Sequence, residues 1–172
     1  MVQKKGRDRA RQSLSDYFIG LIKSRKSKSG DIRPPEASKS DSWKLSDMSP
    51  LQTHDIVTSG LPVVLVLDLI KTFNVVDREA VLLTIGVSEK TLQRWKSAEQ
   101  RLDTNASDRL IRLAVVTEQA MDVFGSRDAA ESWLVASAIG LDGRRPLDLL
   151  QTSEGVKIVK LFLTRIDYGT YT

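Results

Sequence analysis

The hydrophobic and polar positions divide the chain into a polar N-terminal part and a long helical part. From about Leu61 onward, apolar residues recur mainly at spacings of three and four, which is the period of an α-helix with one buried face. The long segment that ends at Gly125 shows this best, with small or apolar side chains on one face at Leu110, Ala114, Thr117, Met121 and Phe124. We therefore predict an all-α fold.

Residues that favour helix ends predict where these helices begin and end. Side chains of Ser, Thr and Asp cap a helix N-terminus by accepting a backbone hydrogen bond, and the pattern predicts such caps at Asp77, Ser88, Ser107, Ser126 and Thr152. Pro62 and Pro146 occupy helix-start positions, and Gly125 lies where a helix C-cap belongs. The run "LPVVLVLDLIKTF" predicts a core helix, although its valines would also suit a strand.

A short motif within residues 56–105 is typical of a helix-turn-helix. In "TIGVSEKTLQRW", Gly86 forms the turn, and the interior positions are filled by Val81, Ile85, Val87, Leu92 and Trp95. The second helix of such a motif presents its N-terminal residues to base edges in the major groove. We therefore predict DNA contacts from Ser88, Lys90, Thr91 and Arg94. Two ordinary packed helices are the alternative interpretation.

One residue departs from the helix-turn-helix pattern. The position four before the turn glycine is usually small, so that the two helices pack closely, and here it is Leu82. This side chain could splay the helices or adapt them to protein contact. Its effect on DNA reading is left open by the sequence.

Charge separates the N-terminal segment from the rest of the chain. Residues 1–50 carry 12 Lys or Arg and six Asp or Glu, a net charge of +6, whereas the remaining 122 residues carry −2. Segments of this composition bury too little apolar surface to fold alone. We expect residues 1–55 to form a basic, flexible or partly helical extension, either a solvated tail or an arm that contacts phosphates.

Several function classes lack support in the sequence. There is no cysteine, which excludes disulfides and thiol catalysis and fits the cytoplasm. No apolar run reaches the roughly 18 residues that suggest a membrane span. The single histidine, His54, cannot form a zinc site alone, and no nucleophile–base pair or phosphate-binding loop is present. We expect no catalytic residue, metal, cofactor or membrane association, and so not an enzyme.

The second half of the chain carries a more specific set of motifs. In order these are "SDRLIRLA", "A" followed by "VFG", "A" followed by "WL", "LDGRRPLDLL", "TSEG" and the closing "LTRIDYGTY". With "GVSEKTLQRW" before them, they resemble the Xre/MbcA/ParS antitoxin family. The resemblance covers about Leu61 to Thr172. It implies a helix-turn-helix-like domain at residues 56–105, followed by a small helical toxin-binding domain at residues 106–172.

The resemblance implies a type II antitoxin. Its partner would be a RES-domain toxin that depletes NAD⁺, and the antitoxin would occlude the toxin's active site with its C-terminal segment. The residues carried over to that role are Arg165, Tyr168, Gly169 and Tyr171. Tyr and Arg are also frequent interface anchors, although a frayed, solvated terminus is the plain alternative.

The family also implies repression of its own promoter, which would need a homodimer because one recognition helix reads too few base pairs. That dimer would sit within a larger toxin–antitoxin complex. A stand-alone helix-turn-helix regulator without a toxin is the main alternative function. A scaffold adaptor built on the same C-terminal domain is a third.

Overall fold

The computed structural model describes residues 45–169, and these residues form an all-α fold without a β-strand. The predicted fold class is confirmed. Short 3₁₀ turns lie at Leu45–Asp47 and Ile139–Leu141. The α-helices are α1 Pro50–Thr58, α2 Val63–Thr72, α3 Arg78–Ile85, α4 Glu89–Ser97, α5 Thr104–Phe124, α6 Arg127–Val135, α7 Pro146–Leu149 and α8 Ser153–Asp167.

The long helix α5 lies at the centre of the fold. It packs against α1 and α3, which precede it in the sequence, and against α6 and α8, which follow it. Its Leu110, Leu113, Ala114 and Val116 are fully buried. The domain boundary predicted between residues 105 and 106 falls in the first turn of α5, so one helix supplies core to both parts of the described chain.

Most of the predicted helix ends are confirmed. Asp77, Ser88, Ser126 and Thr152 each accept a hydrogen bond from the backbone three residues on, and Gly125 ends α5 in the left-handed conformation. The apolar run after Leu61 is the helix α2, which begins directly after Pro62. Its valines pack as helix residues, because Val63, Leu65 and Val66 are buried in the core.

The prediction that Ser107 caps the long helix is wrong. Asp103 is the cap, accepting a hydrogen bond from the backbone of Ala106. Ser107 lies one turn inside α5 and is completely buried. Its hydroxyl accepts a 2.9 Å hydrogen bond from the backbone N–H of Leu61, and the Leu61 carbonyl accepts from Leu102 at 2.8 Å. The hydroxyl therefore joins the start of α5 to the chain before α2.

Within residues 45–169, none of the helices has the length and apolar character that crossing a bilayer requires.

Candidate functional site

The turn between α3 and α4 has the geometry of a helix-turn-helix turn. Gly86 ends α3 in the left-handed conformation at φ +74°. Its N–H donates to the Leu83 carbonyl at 3.1 Å, and the N–H of Val87 donates to the Leu82 carbonyl at 3.0 Å. A side chain at this φ is strained, and a Cβ on Gly86 would also collide with the Arg109 guanidinium. The Arg109 guanidinium is the far end of a flexible side chain and can move aside, so the left-handed φ is what favours glycine at this turn.

The five predicted interior positions of the motif pack inward. Val81, Ile85, Val87 and Leu92 are buried, and Trp95 is half-buried against the same core. Leu82, where a small residue was expected, is also buried, at 5 % exposure. The larger side chain is accommodated in the core and does not reach the outer surface of α4.

The predicted DNA contacts come together at the N-terminal end of α4, in two pairs with different roles. Ser88 Oγ accepts the Thr91 N–H at 3.1 Å, and the two hydroxyls share a 2.9 Å hydrogen bond. This pair builds the helix cap. Lys90 and Arg94 are exposed, and the structure gives neither side chain an ion pair with residues 45–169. Lys96, nearer the end of α4, is also exposed, but among the predicted contacts Lys90 and Arg94 are the cations that are open to an anionic ligand.

Sequence reasoning missed an ion pair beside these cations. Arg78, the first residue of α3, donates from Nε to Oε2 of Glu89 and from Nη2 to Oε1, both at 2.9 Å. Glu89 is the first residue of α4, and Gln93 also donates to its Oε1 at 2.8 Å. Hydrogen bonding lowers the pKa of Glu89 to about 2, chiefly through Arg78 and next through Gln93. The sequence did contain a signal for this ion pair, because α3 and α4 each begin with a charged residue, and the two charges are opposite.

A polar junction holds α6 against the loop between α2 and α3. Oε2 of Glu131, a fully buried residue, accepts backbone hydrogen bonds from Asn74 at 2.8 Å, Val75 at 2.6 Å and Val76 at 3.2 Å. Arg127 donates to the Thr72 carbonyl at 3.0 Å. Three N–H groups that lie outside any helix are thus satisfied by one carboxylate, which fixes the approach to α3.

Two glycines allow close packing of α8, Gly140 in the 3₁₀ turn after α6 and Gly155 in the first turn of α8. A Cβ on Gly140 would meet the Phe162 ring at 2.3 Å, and one on Gly155 would collide with the Leu149 carbonyl. The Phe162 ring also stacks on Trp133 at a centroid distance of 6.2 Å. Trp133 is half-buried and packs against the core. Glycine in both places lets α8 lie close to the preceding turn and to α7.

Helix α8 has apolar side chains on two faces. Val159 and Leu163 point inward and are fully buried. On the opposite side, Ile158, Leu161 and Tyr168 are 51 %, 54 % and 77 % exposed. At 100° per residue these three, with Arg165, fall within one narrow stripe. We call Ile158, Leu161, Arg165 and Tyr168 the outer stripe.

The predicted toxin-binding residues lie at the end of this helix. Arg165 is in its last turn, Tyr168 is the C-cap, and Gly169 follows in the left-handed conformation at φ +65°. This left-handed residue ends the helical path of the backbone directly after the C-cap. Tyr171 lies outside the described residues. Ile139, next to Gly140 in the turn after α6, is a further exposed apolar side chain, at 96 % exposure.

The described part of the chain offers no site for a metal ion. No three His, Cys, Asp or Glu side chains group together in residues 45–169 in a way that could hold one. Two features of its surface bear on function, a cationic helix end at α4 and an exposed apolar helix face at α8.

Comparison with known proteins assigns different family domains to the part of the chain that holds α4 and the part that holds α8. Residues 52–115 match the antitoxin Xre-like helix-turn-helix domain. Residues 119–169 match the antitoxin Xre/MbcA/ParS C-terminal toxin-binding domain. Both matched ranges lie within the residues that the structure describes, and together they cover most of the chain.

Curated relatives point the same way. The chain is 29 % identical over 115 residues to antitoxin Xre of Photorhabdus laumondii, covering 66 % of this chain and 77 % of that protein. It is 27 % identical over 108 residues to antitoxin Xre of Yersinia enterocolitica, covering 62 % and 73 %. It is also 28 % identical over 105 residues to the Prs ADP-ribosylating antitoxin of a Sphingobium strain, covering 56 % and 66 %. On these matches, this helix-turn-helix protein belongs to the Xre/MbcA/ParS antitoxin family.

Proposed function

We propose that this chain neutralises a protein toxin by seating the outer stripe of α8 and the residues after it on the toxin. The observation that carries the proposal is the exposed apolar face of α8 inside the range matched to a toxin-binding domain. Exposed apolar side chains on one helix face are a common mark of a protein interface. Tyr168 and Arg165 are of the residue types that supply most interface energy.

The proposed mechanism is steric. Helix α8 docks through Ile158 and Leu161, and Gly169 turns the following residues away from the helix axis into the toxin's substrate cleft. Arg165 and Tyr168 line the edge of that plug, and Tyr171, outside the described residues, would enter furthest. The proposed toxin is a RES-domain protein that depletes NAD⁺ in the cytoplasm. One relative's name joins an antitoxin to ADP-ribosylation, a reaction that consumes NAD⁺, which supports this choice.

We propose promoter binding as the second activity of the same chain. Lys90 and Arg94 would contact phosphates or guanine, while Ser88 and Thr91 fix the start of the helix that enters the major groove. A homodimer would place two such helices on successive half-sites. The open cations on α4 and the helix-turn-helix match support this activity.

The test of toxin neutralisation uses the reading frame next to this gene. That neighbour is co-expressed with the full chain, with the chain ended after Asp167, and with Leu161→Asp, and growth and NAD⁺ are followed. Ending at Asp167 leaves α8 whole and removes Tyr168 with the residues after it, so it deletes the plug and one residue of the outer stripe. We expect the full chain to restore both readouts. We expect Leu161→Asp to weaken the toxin complex about 30-fold, the loss of one interface hot spot.

A matched control is Leu51→Asp, which places the same charge on another leucine that is 76 % exposed, on α1. It should neutralise as well as the unchanged chain. If the neighbour is harmless alone, the stand-alone regulator becomes the better function. If the chain ended at Asp167 neutralises fully while Leu161→Asp does not, inhibition belongs to α8 and the plug is wrong.

A further inference from the structure

The ion pair between Arg78 and Glu89 places an acid on the surface that is proposed to meet DNA. Glu89 is the first residue of α4 and directly precedes the exposed cation Lys90. An isolated carboxylate there would repel the phosphate backbone, which dominates the affinity of such proteins for DNA. Its presence at this end of α4 therefore calls for a reason other than affinity.

Stability is a weak reason. The side chains of Arg78 and Glu89 are 40 % and 51 % exposed, and exposed ion pairs contribute little to folding because water and salt screen them. Glu89 is also not needed for the cap of α4, because Ser88 already accepts the Thr91 N–H.

The hydrogen bonds of Glu89 leave part of the carboxylate open. Oε1 accepts two hydrogen bonds, from Arg78 Nη2 and from Gln93, whereas Oε2 accepts only one, from Arg78 Nε. An ionised carboxylate has about four acceptor positions. One position on Oε2 is therefore free of partners among these three side chains, and the two-point contact with Arg78 fixes the plane of the carboxylate.

A fixed carboxylate at the end of a recognition helix is suited to one base. In the major groove, cytosine presents its N4 amino group as a donor, and Glu or Asp is the side chain that accepts from it. We propose that Glu89 reads a cytosine through Oε2 and that Arg78 is the positioning residue that orients this acceptor and balances its charge. This inference rests on the proposed binding of promoter DNA.

The signature of this role is a change in sequence preference. Losing the acceptor removes discrimination at one base pair, whereas losing the negative charge strengthens contact with phosphates at every sequence. Glu89→Ala should therefore bind random duplex as well as or better than the unchanged chain. It should lose about five- to tenfold of preference for cytosine at a single operator position, as expected for one hydrogen-bonded base contact.

The experiment measures affinity for duplexes from the region upstream of the chain's own gene, with each C·G pair replaced in turn by T·A. The full-length variants are Glu89→Ala, Arg78→Ala and Arg78→Lys. The matched control is Glu154→Gln, which removes an exposed acid that pairs with Lys157 on α8 at 2.8 Å. Circular dichroism checks that each variant keeps its helix content. Arg78→Lys, which cannot make the two-point contact, should fall between the unchanged chain and Arg78→Ala in cytosine preference.

Each outcome decides the inference. If Glu89→Ala keeps the preference of the unchanged chain, Glu89 does not read a base and the inference fails while promoter binding stands. If Arg78→Ala weakens all duplexes equally, Arg78 is a phosphate contact and not a positioning residue. If the unchanged chain binds none of the duplexes, promoter binding itself fails and the inference falls with it.

Discussion

Helices α4 and α8 are built alike on the inside and differ on the outside. Each buries a small apolar set, Leu92 on α4 and Val159 with Leu163 on α8. Facing solvent, α4 carries Lys90 and Arg94, whereas α8 carries the outer stripe with three large apolar side chains. The difference in outward chemistry suits two kinds of partner, a polyanion for α4 and a protein surface for α8.

The two helices are also held in different ways. Helix α4 is linked to α3 by the exposed pair of Arg78 and Glu89. The C-terminal helices are linked to the loop before α3 by the buried carboxylate of Glu131. The first link can be changed without disturbing the fold, while the second is part of the fold. Variants can therefore separate the two surfaces or disturb both together.

The largest effect is expected from Glu131→Ala, which breaks the junction beneath both surfaces. The N–H groups of Asn74, Val75 and Val76 would lose a shared charged acceptor. Losing hydrogen bonds to a buried charged group should lower the free energy of unfolding by about 3 kcal/mol. Urea unfolding, followed by circular dichroism, measures the change in the free energy of unfolding. When the variant is heated, DNA binding and toxin binding should be lost at the same temperature.

Two controls bracket that result. Glu131→Gln keeps one acceptor oxygen and should lose roughly half as much stability. Glu154→Ala removes an exposed acid on α8 and should change stability by less than about 0.5 kcal/mol. A loss for Glu131→Ala no larger than that of Glu154→Ala would mean that the junction does not hold the two regions together.

The second effect, from Gly155→Ala, falls on α8 alone. Alanine is normally a better helix residue than glycine by about 1 kcal/mol, but here its Cβ would collide with the Leu149 carbonyl. We expect destabilisation of about 1–3 kcal/mol, the usual cost of overpacking, and weaker toxin binding through a displaced α8. Thermal unfolding measures the stability, and Ser153→Ala on the exposed first turn is the control. Stabilisation by Gly155→Ala would contradict the close approach of α7.

Whether an interaction could be predicted from the sequence depends on how far apart its two partners lie along the chain. The caps at Asp77, Ser88 and Thr152 are local, since each side chain bonds the backbone three residues on, and all three were predicted. Ser107 has the same local pattern but is bound by Leu61, 46 residues away. A cap rule could not detect that partner.

The candidate site shows the same limit. The fold class and the buried face of α8 follow from the helical period. Glu131 pairs with residues 55 to 57 positions away, and no period or spacing indicates such a contact. The outer stripe was also missed, because the helical period indicates the face of α8 that the core covers but does not indicate that apolar residues on the opposite face form a surface. Residues Arg165 to Tyr171 were predicted from family resemblance, and their role stays a prediction.

The third effect, from Lys90→Ala with Arg94→Ala, concerns α4 alone. If both cations contact phosphates, their loss should weaken DNA binding about tenfold or more at moderate salt. It should also reduce the slope of log affinity against log salt by about 0.9 for each lost contact. Fluorescence anisotropy across a salt series measures both quantities. Toxin binding should be unchanged, whereas equal loss of both activities would show that the two surfaces are not separable.

The smallest effect concerns the protonation of Glu89. Its pKa in the folded chain is about 2, below the ordinary 4.5, chiefly because of the hydrogen bonds from Arg78. Since the folded value is the lower one, the favourable pairing is fully present above pH 4.5 and is lost as the pH falls towards 2. Carbon-detected NMR of the Glu89 carboxyl between pH 7 and 3 should therefore show a titration that has not reached its midpoint at pH 3.

Arg78→Ala should bring that midpoint back up towards 4.5, within the measured range. Gln93→Ala should raise it less, since the hydrogen bond from Gln93 is the second cause of the lowered pKa. If Glu89 of the unchanged chain already titrates near 4.5, Arg78 does not hold the carboxylate in solution. The oriented acceptor proposed for cytosine would then be absent, and α4 would contact DNA through its cations alone.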